Sequence, residues 1–335
     1  MLKKIIATAL VATVGFSATQ EVNIYSHRHY DTDKKLYELF EQETGIKVNT
    51  VRAKANELMK RMESEGKNSP ADIFITSDAG RLHLAQKNGL LQTINSKVLN
   101  EAIPEHLRQK DGYWFALTKR ARVVVYNKDV VDPSTLSTYD ALTDASLKGK
   151  VLVREASNIY NQSLLASMIA NKGEEKAKAW AKGIVNNFAR TPRGSDRDQM
   201  KAVAANVGDL AIVNTYYLGK LLNSDKRAEV EVGKKMGVFF PNQKTTGAHI
   251  NISGAGVAKY SKNKENAVKL LEFLVSPKAQ SMFAEANFEY PVNKKVQPSK
   301  LLQSWGTFKE DSLDLENLGK YNAQAVKIFN EVNWK

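Results

Sequence analysis

The chain has 335 residues, with 49 Lys and Arg against 36 Asp and Glu, a net charge of +13 and no cysteine. The missing thiols exclude disulfides, thiolate catalysis, iron–sulfur ligation and cysteine-bound zinc. The positive charge is interleaved with Glu and Asp and carries no nucleic-acid-binding motif. It therefore reads as a solvated surface that attracts small anions such as bicarbonate or citrate, not as a nucleic-acid face.

Residues 1–18 read as an export signal. Lys3 and Lys4 open it, and Ile5 to Phe16 is apolar but too short to span a bilayer. Ser17-Ala18 then lead into polar Thr19-Gln20-Glu21. A soluble exported protein is expected, and the remaining length calls for two lobes. Val22 to Tyr25 is a strand, and Asp31 or Thr32 caps a helix to Glu43 that Gly45 closes. Residues 46–51 form the next strand and 56–65 a helix ended by Gly66. Asp72 to Thr76 is a buried strand, and Ser77-Asp78 lead into a helix to Asn88. This alternation predicts a doubly wound parallel sheet. Trp114 to Asn127 is too long for one core strand and reads as a crossing between lobes. A second α/β pattern follows: a strand at 151–153, helices at 161–171 and 174–188, a helix capped by Ser195, a strand at 209–213 and a helix from Tyr216 to Leu222. The chain returns near Gly237 to Pro241, forms a strand at 251–257 and helices at 263–275 and 277–286, and ends in a largely helical tail. The expected lobes are 19–116 with 240–291 and 117–239 with 292–335, enclosing a cleft that closes by hinge motion.

Three tyrosine motifs fall where a strand hands over to a helix: His29-Tyr30, Tyr160 and Tyr216-Tyr217. Ligands bind at such turns in α/β sheets, because helix N-termini open there with positive dipole ends. A single tyrosine in such a place is as well explained by packing. Their joint placement argues for a hard-oxygen pocket. Phenols hold their protons to a pH near 10, so several together suit a cation that displaces protons, and Fe(III) is the candidate. Four phenolates around a trivalent ion leave one negative charge, which Arg28 and Arg120 could each offset; Arg120 could equally be a solvated surface residue. His29 is either a fifth ligand or a donor behind the ligands. His27 is expected to face the opposite side.

With those residues in view, the chain resembles the periplasmic ferric-ion-binding proteins of ABC-type iron importers. The resemblance rests on Ile24-Tyr25-Ser26-His27-Arg28-His29-Tyr30, Ser69-Pro70-Ala71-Asp72-Ile73-Phe74, Leu117 to Asn127, Gly208 to Tyr217 with its Asn214-Thr215-Tyr216-Tyr217, and His249 to Gly256. It implies a class II periplasmic-binding-protein fold, α/β, with two doubly wound lobes joined by two crossing strands. It implies metal ligands at His29, Tyr30, Tyr160, Tyr216 and Tyr217, with Arg28 and Arg120 behind them or on an anion. It also implies a monomer that delivers Fe(III) to an inner-membrane permease, with carbonate or another synergistic anion as a further ligand in some members. One branch uses a Glu, a His and two tyrosines; here Ser77 stands in place of the Glu, and Tyr30 follows His29 where a Lys is common. The chain is thus similar to the tyrosine-rich branch. Lys220 stands where some relatives carry Arg.

Two other readings compete with this one. Receptors for polyamines, phosphonates or thiamine share the architecture, but a polyamine site wants carboxylates, and only Asp31 and Asp78 lie near these turns. An enzyme of the porphobilinogen-polymerising kind tethers its cofactor through a cysteine, which is absent, and no nucleophile elbow or phosphate loop is present.

Overall fold

The structure is a computed structural model that describes residues 20–335. The export signal read over 1–18 lies outside the described residues. In chain order the first half contains β1 (Glu21–Ser26), α1 (Asp31–Thr44), β2 (Lys47–Arg52), α2 (Ala55–Glu65), β3 (Ile73–Ser77), α3 (Ala79–Lys87), β4 (Leu91–Gln92), α4 (Lys97–Ala102) and the long β5 (Phe115–Asn127). Then come β6 (Val151–Leu152), α5 (Ile159–Lys172), α6 (Glu174–Asn186), α7 (Asp196–Ala204), β7 (Leu210–Asn214), α8 (Thr215–Leu222), α9 (Arg227–Lys235) and β8 (Met236–Phe239). The chain closes with β9 (Ile250–Ala258), α10 (Lys264–Leu274), α11 (Pro277–Asn287), β10 (Tyr290–Pro291), α12 (Lys300–Ser304), α13 (Glu316–Lys320) and α14 (Asn322–Glu331).

Local sequence explains the elements that matter. α1 buries Leu36, Tyr37 and Phe40 on one face, and Gly45 ends it at φ 72, a left-handed cap that costs glycine little. β3 is buried from Ile73 to Thr76 and apolar over Ile73 to Ile75, as suits a strand covered on both faces. β1 pairs in parallel with both β2 and β3, giving the expected parallel core. β9 then lies antiparallel between β3 and β5, because it enters this sheet from the other half of the molecule.

β5 belongs to two sheets. Its first half, Phe115 to Ala121, pairs with β9, and Arg122 to Asn127 pairs with β7 and β8 in a second sheet that β6 completes. The stretch Trp114 to Asn127 thus crosses between sheets. The return differs from the expectation near 237–241. Met236 to Phe239 still pairs with β5 in the second sheet, and the chain re-enters the first sheet only at Ile250. Pro241 has no N–H to extend the ladder, and Asn242 turns the backbone to φ 62. The tail serves both halves: α13, with Leu315 and Leu318, packs between α3 of the first and α5 of the second, whereas Ala325, Ile328, Phe329 and Trp334 pack into the second.

Candidate metal centre

Each tyrosine motif sits at a helix N-terminus. Tyr30 is the N-cap of α1, in extended backbone at φ −85 and ψ 144. Tyr216 and Tyr217 occupy the first turn of α8, directly after β7. Tyr160 lies inside the first turn of α5, not before it. Asn158 starts that helix, its Oδ1 accepting the Tyr160 N–H at 3.1 Å. Asn161, expected to open the helix, is buried and accepts from the Arg122 guanidinium at 2.7 Å.

These turns converge. The Tyr216 and Tyr160 hydroxyl oxygens are 3.4 Å apart, and the Tyr216 and Tyr217 ring centroids are 4.2 Å apart. The His29 and Tyr30 ring centroids lie 5.5 Å apart. A cavity of about 340 Å³ is lined by His27, His29, Tyr30, Tyr160 and Tyr217, with Tyr216 buried behind them. Arg28, Arg81, Arg154, Arg197 and Lys220 also line it, and no carboxylate does. Among the described residues, no group of three or more His, Asp or Glu side chains is placed to hold a metal. A metal in this cleft would therefore draw its donors from phenols and imidazole.

Electrostatics separate the residues. Burial pushes the phenol of Tyr30 well above its ordinary range, and the nearby Glu289 carboxylate adds to the rise. Burial raises Tyr216 and Tyr217 too, reinforced by the neighbouring phenols, above all Tyr160. Without a cation, these groups keep their protons. Arg120 is 1 % exposed, and none of its three nitrogens has a hydrogen-bond partner. Its guanidinium lies 5.4 Å from the centre of the Tyr160 ring, with Arg154 and Arg122 at 5.8 and 5.9 Å. Arg122 is bound to Asp196, Asn161 and Asn214, whereas Arg120 makes no hydrogen bond and acts on the buried Asp78 and Glu289 carboxylates through its charge alone. The surface-solvation alternative for Arg120 is thereby excluded.

Arg28 does not hold its charge in reserve for the site. It gives Nε and Nη2 to Asp33 at 3.0 and 3.1 Å and bonds Glu289 at 3.1 Å. Of the two roles expected for it, the free compensating charge on an anion is corrected by these two carboxylates, and the place behind the ligands is kept. What remains is support of Tyr30, whose ring centre is 4.8 Å away. His27 is also corrected. The strand ends at Ser26, so alternation does not carry past it, and the imidazole turns into the cavity with its Nδ1 3.3 Å from the Ser77 hydroxyl. Burial, aided by Arg81, lowers its pKa to about 4, so it is neutral at pH 7. His29 lines the cavity from an exposed position. Lys220 reaches from α8 to within 3.7 Å of the Tyr30 ring centre, and burial lowers its pKa to about 8. Arg81, Arg154 and Arg197 were not singled out from sequence. Arg81 and Arg154 stand just past strands β3 and β6, the same position in the fold that drew attention to the tyrosines.

A protein-family model of bacterial extracellular solute-binding proteins matches residues 35–310. The chain belongs to that family. It is 51 % identical over 316 residues to iron uptake protein A1 of Synechocystis sp., covering 94 % of this chain and 88 % of the relative. It is 29 % identical over 297 residues to the major ferric iron-binding protein of Neisseria meningitidis, covering 87 % and 86 % of the two chains. Among solved structures, the Trichodesmium protein in complex with iron and citrate superposes with a TM-score of 0.92 at 52 % identity, over 94 % of this chain and all of that one. The ferric binding protein from Campylobacter jejuni superposes with a TM-score of 0.89 at 48 % identity, again over 94 % of this chain and all of that one. The resemblance read from the sequence holds: the relatives are ferric-ion-binding and iron-uptake proteins, solute binders and not enzymes, and the fold is the class II periplasmic-binding fold.

Proposed function

We propose that this chain captures Fe(III) through the phenolates of Tyr30, Tyr160, Tyr216 and Tyr217, with His29 at the rim, and delivers it as a monomer to an inner-membrane ABC permease. The lobes that close on the metal are 19–116 with 240–291 and 117–239 with 292–335, and the N-terminal segment exports the chain to the periplasm. The observation that carries this reading is the convergence of phenols from three separate helix N-termini on one carboxylate-free cavity. The 3.4 Å between the Tyr160 and Tyr216 oxygens suits two donors that share one ion. Arg120 supplies the charge that an anionic ferric centre needs, and the helix dipoles add to it. The identity of the relatives supports ferric iron as the cargo. Arg81, Arg154, Arg197 and Lys220 give the cleft a positive wall, suited to a carbonate or carboxylate anion that arrives with the metal. A polyamine has no carboxylate here to meet its charge.

The test is the double variant Tyr216→Phe with Tyr217→Phe. The wild type loaded with ferric citrate should show a visible phenolate-to-iron charge-transfer band and one iron per chain. The double variant should lose both. Retained colour and stoichiometric iron in the variant would refute the assignment.

A further inference from the structure

We propose that Asp78 and Ser163 are positioning residues for the metal centre, a buried link that holds the helix of Tyr160 against the tip of β3; this rests on the iron-binding reading above. Asp78 follows β3 and is 0 % exposed. Its backbone sits at φ 86 and ψ 122, outside the regions that non-glycine residues ordinarily occupy. Its carboxylate accepts the Ser163 hydroxyl at 2.8 and 2.9 Å on its two oxygens, the Gly80 N–H at 2.9 Å and the Asn251 side-chain amide at 2.8 Å. The Gly80 bond alone would cap α3. The bond to Ser163 reaches a helix eighty-five residues away in sequence.

Ser163 stands on α5 three residues beyond Tyr160, one turn along the same face. Fixing its hydroxyl to a charged, fully buried acceptor therefore fixes the turn that presents Tyr160. Asn251 ties the same point to β9, its Oδ1 accepting the N–H groups of Ala79 and Ile252 at 2.9 and 2.8 Å. Asn251 is the register partner of Arg120, the cation facing the Tyr160 ring. One node thus sets where both the Tyr160 helix and its facing charge stand relative to the first sheet. The Gly80 bond alone suffices for a helix N-cap, so the bonds to Ser163 on α5 and Asn251 on β9 go beyond capping and fix α5 against the first sheet.

The experiment compares Ser163→Ala with Ser167→Ala in the mature protein loaded with ferric citrate. Ser167 is also buried on α5, but its hydroxyl donates to Leu164 O within its own helix at 2.7 Å. Iron loss to excess chelator is followed through the charge-transfer band, and metal-free melting temperatures are recorded. Ser163→Ala should release iron about tenfold faster, the scale of one lost hydrogen bond to a charged group. Its band should shift in wavelength, which a general loss of stability does not cause. Asp78→Asn, which keeps the shape and removes the charge, should move in the same direction, and Ser167→Ala should match the wild type. If the wild type loads iron and Ser163→Ala releases it at the Ser167→Ala rate with an unshifted band, the positioning role is overturned and the iron-binding reading stands. A wild type that takes up no iron would overturn both.

Discussion

Gly219 gives the sharpest handle on how the two halves meet around the cleft. It lies on α8, two residues past Tyr217, and faces the end of α11. A Cβ built there would stand 2.5 Å from Phe288 Cβ and 2.6 Å from its Cγ. Carbon atoms pack at about 3.5–4.0 Å, so Gly219→Ala requires α8 to draw back from α11 by about 1 Å. α8 carries Tyr216 and Tyr217, while α11 packs with α1, whose N-cap is Tyr30. The retreat therefore separates phenols that must share one ion. Overpacking of this kind costs about 1–3 kcal/mol, equivalent to roughly five- to 150-fold in affinity when the strain falls on the closed form. In the metal-free protein, alanine in a helix is favoured over glycine by about 1 kcal/mol. The expected signature is a held or raised metal-free melting temperature together with iron affinity weaker by one to two orders of magnitude in a citrate competition. Wild-type affinity in Gly219→Ala would show that the approach of α8 to α11 is not required for binding, and the steric reasoning would fail.

Arg120→Met should act unequally on the two states. Removing a buried charge that makes no hydrogen bond but faces the Asp78 and Glu289 carboxylates should hold the metal-free melting temperature near the wild type, while the anionic ferric centre loses its compensation and iron affinity drops at least about tenfold. A metal-free protein destabilised by this change would mean that Arg120 is already paired. A pH dependence of stability follows from His249, whose pKa burial lowers from 6.5 to about 3. Its unfolded form takes up a proton first, so its contribution is complete above pH 6.5 and is lost as pH falls toward 3, by up to about 1.4 kcal/mol per pH unit. Urea denaturation of metal-free His249→Gln between pH 7 and 4.5 should show a flatter profile than the wild type, and identical slopes would refute it.

The tyrosine turns were legible because each sits between a short apolar strand and a helix with recognisable punctuation, as with Gly45 closing α1. Fine placement was less so. Two asparagines, Asn158 and Asn161, compete for the start of α5, and only packing decides that the first caps it while the second turns inward to Arg122. Arg28 was legible as a residue beside the site, but not its pairing with Glu289. Its partner Glu289 lies 261 residues away, and a buried ion pair at that separation leaves no local trace. His27 was misjudged by extending a two-residue alternation beyond the strand that generates it. The strands β4 and β10, two residues each, carry no periodicity from which to infer them.

A strand common to both sheets also governs how the molecule can flex. Neither half can swing free on a slack tether, because β5 is laddered to β9 at one end and to β7 and β8 at the other. Under the proposed capture of iron between the lobes, the bend falls on this one ribbon, where its pairing passes from β9 to β7 between Ala121 and Arg122. Anyone turning this protein into an optical reporter should therefore leave residues 115–127 untouched and attach the dyes to the helices on either side.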